Sequence, residues 1–204
     1  MKRIYLMRHG QSEGNKTGIV QGTNDSHLSE KGIMEAEAVS KRFKKFKIDK
    51  IYTSELARAR ETAEIIGKEH GVEVEVVPEF IELSFGVWQG VDFDIIKTKY
   101  KEEFNLWKKS PHKFDVEGFE GIENGKKRML KGLKRVAEKD GCENILIVSH
   151  GSALKCLIIG LLELENSVYK NMVMANTGLS LIERGDYNTI VRFYDDYSHL
   201  DALD

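Results

Sequence analysis

Two histidines each follow a short apolar run and precede a glycine, one near each end of the chain. His9 follows the run in "IYLMRHG", and His150 follows the run in "ILIVSHG". A strand would not select these polar residues for packing, so their place directly after buried strands needs another reason. The pattern predicts one site that is assembled from both ends of the chain.

Two arginines and two glycines extend this set. Arg8 precedes the first histidine, and Arg58 falls near the start of a predicted helix, where free N–H groups and the helix dipole favour an anion. Gly10 and Gly151 allow backbone amides to approach a ligand without an intervening side chain. A phosphoryl group needs donors on several sides, and this combination supplies them.

Each residue alone has a commoner structural interpretation. A lone histidine after a strand is usually a hydrogen-bonded structural residue, and Arg58 in "ELARARE" fits a surface ion pair at helical spacing. Asn15 alone fits a turn. Only the occurrence of all these residues together favours a catalytic site over separate structural roles.

The elements that position these residues alternate between strand and helix. The patterns predict strands at 3–7, 50–54, 73–77 and 145–149, helices at 30–46, 55–70, 124–139 and 152–162, and a C-terminal hairpin turning at 185–186. Ser29 and Ser54 are the expected N-caps of the first two helices. The alternation favours an α/β three-layer sandwich with helices flanking a mostly parallel sheet. Parallel strands would bring the candidate residues together at their carboxyl ends.

Composition limits the class of protein. The 204 residues fit one domain over 1–204, with a variable, helical insertion at about 91–125. A net charge of −2 requires neither a nucleic acid nor a membrane as partner. The two cysteines make no disulfide framework, the first apolar run is too short for a signal peptide, and the run "ALKCLIIGLLEL" is broken by Lys155. We expect a cytoplasmic protein, and its oligomeric state cannot be read from the sequence.

Five segments in order resemble signatures of the histidine phosphatase superfamily, the phosphoglycerate mutase-like proteins. They are "RHGQSEGN", "QGTNDSHLSEKG", "TSELARARETAEII", "FIELSFGVWQG" and "VSHGSALK". His27 stands where the family usually has proline, and region 91–125 matches least. The resemblance covers nearly the whole chain.

The resemblance implies a role for each matching residue. His9 resembles the nucleophile that becomes a phosphohistidine, so a partner must hold the proton of its other ring nitrogen. Arg8, Arg58 and His150 resemble the donors that stabilise the transferring phosphoryl group. The remaining phosphate-binding positions are Asn15, Gln21, Gly22 and Gly151. No metal site is implied, because the cations take that electrostatic role.

A leaving alkoxide needs a proton, and the same carboxylate can then activate water. The resemblance points to Glu82 as this acid, with Glu79 as the rival. Phe80, Leu83 and Trp88 flank Glu82 in sequence, and burial among them would favour the protonated acid.

The family's chemistry permits two fates for the phosphoenzyme. A phosphatase admits water, whereas a mutase returns the phosphoryl group to a bound phosphoester. Cofactor-dependent mutases carry a longer insertion with an E-R-H-Y-G segment, and none occurs between Gly90 and Arg128. We therefore expect a phosphomonoester phosphatase that acts on a small metabolite without a cofactor. The alternative is a phosphoglycerate mutase that uses 2,3-bisphosphoglycerate. A third interpretation, an inactive phospho-ligand binding module, is disfavoured because nucleophile, cations and acid are all present.

Recognition of the leaving group is expected to fall to segment 91–125 and to side chains around His27. The aromatic residues of that segment could line an apolar pocket, but their spacing favours helix packing. They are Phe93, Tyr100, Phe104 and Trp107.

Overall fold

One mixed sheet forms the centre of the computed structural model, which describes residues 2–139, 141–201 and 203. Its strands are β1 (Lys2–Arg8), β2 (Lys50–Thr53), β3 (Val74–Val76), β4 (Asn144–Ser149), β5 (Leu179–Arg184) and β6 (Thr189–Asp196). Their spatial order is β3-β2-β4-β1-β5-β6. The first four strands in this order run parallel, and β5 and β6 are each antiparallel to the strand before them.

Helices cover both faces of this sheet. The α-helices of the described residues are α1 (Glu13–Lys16), α2 (Glu30–Phe43), α3 (Ala57–His70), α4 (Phe93–Lys99), α5 (Lys101–Lys109), α6 (Ile122–Lys139) and α7 (Gly151–Leu161). Of these, α2 and α3 pack on one face, and α6 and α7 pack on the other. Alternate residues of β1 enter different cores, because successive side chains of a strand point to opposite faces. Tyr5 and Met7 pack with α2 and α3, whereas Ile4 and Leu6 pack with α6 and α7. The predicted three-layer α/β fold is confirmed.

Of the two predicted helix N-caps, one is found in the structure and the other is not. Ser29 caps α2 as expected, since its side chain accepts the N–H of Gly32. The prediction that Ser54 caps α3 is wrong. That helix begins at Ala57, whose N–H is bound instead by the Asp25 carboxylate at 2.8 Å. A side chain distant in sequence therefore takes the capping role.

The C-terminal boundary of α2 also lies earlier than predicted. The helix ends at Phe43 rather than at Phe46, and the chain turns over 44–46. Phe43 is fully buried, and Phe46 packs against the same core from the turn. The apolar spacing therefore continued past the end of the helix.

The segment between the third strand and α6 is largely helical and contains α4 and α5. Its aromatic rings contact one another, with Phe93 and Phe104 centroids 5.4 Å apart, and Trp107 and Phe114 centroids 5.2 Å apart. Within the described part of the chain, no helix is both long and apolar enough to cross a membrane. Cys142 and Cys156 are free thiols.

Candidate active site

The carboxyl ends of three neighbouring parallel strands carry the candidate residues. Arg8 of β1 pairs with Ser149 of β4, and β4 pairs on its other side with β2, which leads into Ser54. The residues that follow β1 and β4 are His9 and His150, and their ring centroids lie 5.2 Å apart. The predicted convergence of the two histidine segments is confirmed.

The hydrogen bonds of His9 define the state of its ring. Nδ1 lies 2.6 Å from the carbonyl oxygen of Gly10, which only accepts, so Nδ1 carries the proton. Nε2 therefore has a free lone pair and accepts the Nε–H of Arg58 at 3.2 Å. Burial holds the pKa of His9 well below its usual value, and the charges of Arg8 and Arg58 add to this effect. The ring is neutral and presents Nε2.

The backbone around His9 is held on several sides. Its carbonyl accepts the side-chain amide of Asn176 at 2.9 Å, and the Gly10 N–H donates to the Thr62 hydroxyl at 3.1 Å. A Cβ at position 10 would lie 2.5 Å from the carbonyl oxygen of Gly32 in α2. Gly10 is therefore required for close packing against that helix, a reason other than the ligand access predicted from the sequence.

Arg58 is the second residue of α3 and is only 1% exposed. Besides its bond to His9, it donates to the carbonyl oxygens of Gly22 at 2.8 Å and Asn24 at 2.9 Å. Gly22 has φ +54°, and a Cβ there would lie 2.0 Å from the Gln89 side-chain oxygen. Arg58 thus links the loop that carries Gly22 to the His9 ring, because its guanidinium is hydrogen-bonded to both.

Two buried nitrogen atoms at this site have no hydrogen-bond partner among the described residues, Arg8 Nε and His150 Nδ1. The other end of the Arg8 guanidinium donates to the carbonyl oxygen of Met174 at 2.7 Å, and His150 Nε2 is hydrogen-bonded to Ser54 Oγ at 2.8 Å. Burial keeps the pKa of His150 well below its usual value, and nearby Arg58 reinforces this. Unpaired buried polar atoms are rare and need an explanation. Here they leave two nitrogens beside His9 available to a ligand.

The carboxylate of Glu82 binds the start of α7, the helix that follows His150. Its Oε1 accepts the N–H groups of Leu83 at 2.9 Å and Ala153 at 2.8 Å, and its Oε2 accepts that of Ser152 at 3.1 Å. The side chain is half-buried among backbone donors rather than enclosed by apolar residues, so the expected apolar burial is wrong.

The rival carboxylate points to a different element. Glu79 pairs with Arg135 at 3.1 Å and with Lys131 at 3.9 Å, both on α6. The structure therefore brings Glu82, and not Glu79, to the helix beside His150.

Asn15 lies in α1, and Gln21 lies in the loop that follows this helix. The Ser12 hydroxyl is 3.0 Å from Asn15 Oδ1 and 3.1 Å from Gln21 Oε1. Their amide NH₂ groups have no hydrogen bond to the described residues. Gly151 is the first residue of α7, and a Cβ there would lie 3.7 Å from the Arg8 side chain.

Several supporting residues were not identified from the sequence. Met174 and Asn176 hold the segment Arg8–His9, and Thr62 links Gly10 to α3 by accepting one N–H and donating to the Arg58 carbonyl at 2.7 Å. Ser54 was expected at one of the converging strand ends and as a helix cap, but its bond to His150 was not predicted. No local pattern marks such residues, because their partners are distant in sequence.

Comparisons with known proteins agree with this geometry. The model of the histidine phosphatase superfamily (branch 1) matches residues 4–196. A Hydrogenobacter thermophilus protein with the provisional name phosphoserine phosphatase 2 is 37% identical over 195 residues, covering 94% of each chain. A Photorhabdus laumondii protein provisionally named phosphoglycerate mutase GpmB is 34% identical over 222 residues, covering 100% of this chain and 98% of its own.

A solved structure with the same fold adds information on ligands. Phosphoserine phosphatase from Entamoeba histolytica, in complex with 3-phosphoglyceric acid, has a TM-score of 0.83 and 30% identity, covering 98% of this chain and 100% of that one. A mutant of that protein has been solved with phosphoserine.

Proposed function

Because the chain belongs to branch 1 of the histidine phosphatase superfamily, we propose that it hydrolyses small phosphomonoesters through a phosphohistidine on His9. One observation carries this proposal. The Nδ1–H bond to the Gly10 carbonyl leaves a lone pair on Nε2, Arg58 donates to that atom, the His150 ring lies beside the imidazole, and the charge of Arg8 acts on it. A neutral imidazole among cations suits attack on a dianionic phosphoryl group.

In the first step, His9 Nε2 forms a bond to phosphorus while the bond from phosphorus to the ester oxygen breaks. The positive charge that develops on the ring is stabilised by the Nδ1–H bond to the Gly10 carbonyl. Arg8, Arg58 and His150 stabilise the equatorial oxygens, and the NH₂ groups of Asn15 and Gln21 add donors.

Glu82 gives its proton to the leaving oxygen in this step. Its Oε1 accepts two N–H groups and its Oε2 only one, so Oε2 has the capacity to hold that proton. In the second step the resulting carboxylate takes a proton from water as the water oxygen attacks phosphorus. The bond from phosphorus to Nε2 breaks, and orthophosphate and free His9 result.

The mutase alternative remains because relatives with mutase names match the whole chain. A mutase must exclude water and hold a phosphorylated acid. The segment between Gly90 and Arg128 contains the short helices α4 and α5 and one 3-10 turn before α6, and its sequence lacks the arginine-bearing signature of those enzymes. Lysines there are flexible point charges and replace an arginine fork poorly. Hydrolysis is therefore the proposed reaction, with a carboxylate-bearing phosphoester such as phosphoserine or a phosphoglycerate as the substrate class.

The test combines product analysis with detection of the intermediate. We expect the wild-type protein to release orthophosphate from phosphoserine or 3-phosphoglycerate and to form an acid-labile, base-stable phosphoenzyme. His9→Ala should abolish both, whereas His112→Ala, at an exposed position, should change neither. Retention of a tenth of the wild-type kcat in His9→Ala would contradict the assignment. Isomerisation of 3-phosphoglycerate that depends on 2,3-bisphosphoglycerate would favour the mutase.

A further inference from the structure

A cavity of about 340 Å³ lies between the helical segment 93–111 and α7. Aromatic rings and lysines line it, among them Phe104, Trp107, Lys155 and Tyr169, and no acidic residue is among the described lining residues. Its volume is within the range of small-ligand sites. Apolar walls combined with positive charge suit an organic anion.

Lys155 is the distinctive group of this cavity. Its ammonium lies 3.6 Å from the centre of the Tyr169 ring, and within the described chain it has no carboxylate partner. By contrast, Lys97 at the same cavity is paired with Asp94 at 2.7 Å. Burial lowers the pKa of Lys155 to about 8. A half-buried cation without a counter-ion is unfavourable, and an anionic ligand would compensate it.

The cavity is connected to the candidate active site through α7. Lys155 follows Ser152 by three residues, about one helical turn or ~4.5 Å along the axis. The Ser152 N–H binds Glu82, and the buried Tyr169 hydroxyl has no hydrogen-bond partner among the described residues. The charges of Glu82 and Arg8 both act on the Lys155 ammonium. The cavity therefore begins one turn beyond the carboxylate that would protonate the leaving oxygen.

We infer that this cavity receives the leaving group of the substrate and that the Lys155 ammonium binds a carboxylate on it. The inference rests on the proposed function, because only a phosphoryl group held at His9 places its leaving group toward α7. The aromatic walls contact the carbon skeleton, and Lys155 distinguishes an acid from an alcohol of the same shape. Lys155 is thus a specificity-determining residue.

Two esters of one skeleton test this assignment. 3-Phosphoglycerate and glycerol 3-phosphate differ in a carboxylate against a hydroxymethyl group. Lys155→Met should lower kcat/KM for 3-phosphoglycerate on the order of 10- to 100-fold, mainly through KM, since a charge-assisted hydrogen bond is lost. The loss for glycerol phosphate should be much smaller. Lys155→Arg should recover part of the preference, and Lys44→Met, which removes a lysine paired with Glu69, is the control.

The possible results distinguish a failure of the Lys155 subsite from a failure of the proposed function. Equal losses on both esters, with an unchanged thermal midpoint, would show that Lys155 acts in packing and would overturn the subsite. If the phosphohistidine forms but the wild-type protein does not prefer the carboxylate, the subsite fails and the proposed function stands. If no phosphohistidine forms, calorimetric binding of 3-phosphoglycerate to wild type and Lys155→Met still decides, and equal affinities would overturn the subsite.

Discussion

Arg58 donates its Nε–H to Nε2 of His9 over 3.2 Å, so an arginine holds the lone pair that would attack phosphorus. Its other donors bind the carbonyl oxygens of Gly22 and Asn24. When a phosphoryl group binds, the Arg58 Nε–H can exchange its acceptor, from His9 Nε2 to a phosphoryl oxygen, with little movement of the side chain. Such preorganised charge lowers the barrier without reorganisation at the moment of reaction.

This relationship predicts a large effect of Arg58→Ala. We expect kcat/KM to fall on the order of 100-fold or more, the scale for loss of a preorganised donor. Arg60→Ala is the matched control, because Arg60 lies on the same helix with a half-exposed side chain and pairs with Glu64. Steady-state kinetics of both variants is the measurement. An equal effect of the two substitutions on kcat/KM would contradict a role of Arg58 in stabilising the phosphoryl group.

The cation-only mechanism predicts that activity does not require a metal ion. The guanidinium groups of Arg8 and Arg58 would supply the positive charge that a divalent cation otherwise provides, and the neutral ring of His150 would add a hydrogen-bond donor. Phosphate release should therefore persist after dialysis against EDTA. If EDTA abolishes activity and a divalent metal restores it, whereas metal-free buffer does not, this mechanism is contradicted.

His199 makes stability depend on pH. Its Nε2 lies 2.9 Å from the Thr177 hydroxyl, and burial lowers the pKa of His199 from 6.5 to about 4, with Arg42 adding repulsion and Asp196 opposing it. Between these values the unfolded chain binds the proton and the folded protein does not. The free energy of unfolding should therefore fall as pH decreases from about 6.5 toward 4.

A variant isolates this contribution. His199→Gln cannot take up a proton but keeps a group that can bond to Thr177. Urea denaturation at pH 7 and pH 5 should show a smaller loss of stability in the variant than in the wild type. Part of the dependence should remain, because His9 and His150 also have pKa values below the usual one. Identical losses in both proteins would contradict the assignment.

Much of the site was predictable because buried parallel strands read as continuous apolar runs. The runs before Arg8 and His150 mark β1 and β4, and polar residues directly after such runs stand out. Strand ends in an α/β sheet then imply convergence. The family resemblance supplied the proposed roles, including that of Glu82, whose apolar neighbours in sequence wrongly predicted an apolar environment for its carboxyl group.

The remainder depends on contacts between residues far apart in the chain. Asp25 caps α3, and Met174 holds Arg8, yet neither residue has a local pattern that announces it. Lys155 read only as an interruption of an apolar run, because its position at a cavity follows from how the segment 93–111 packs on α7. Tertiary contacts of this kind override local propensity.

The role of Glu82 can be separated from that of a merely positioning carboxylate by the basicity of the leaving group. An alkyl ester leaves as a strongly basic alkoxide, whereas p-nitrophenolate is already a stable anion. Glu82→Gln keeps the shape and loses the proton, so phosphorylation of His9 by an alkyl ester should slow far more than phosphorylation by p-nitrophenyl phosphate. General acid catalysis is typically worth ~10²- to 10⁴-fold, which single-turnover bursts resolve.

The burst phase is needed because Glu82 should also activate water in the second step, which affects steady-state rates with every ester. Glu79→Gln is the matched control, since that carboxylate is bound to Arg135 and should leave the ratio of the two bursts unchanged. The amide oxygen at position 82 can still accept the N–H groups of Leu83 and Ala153, and only the bond from the Ser152 N–H is lost, so the start of α7 should stay in place. If Glu82→Gln slows both esters equally, Glu82 positions α7 and another group protonates the leaving oxygen.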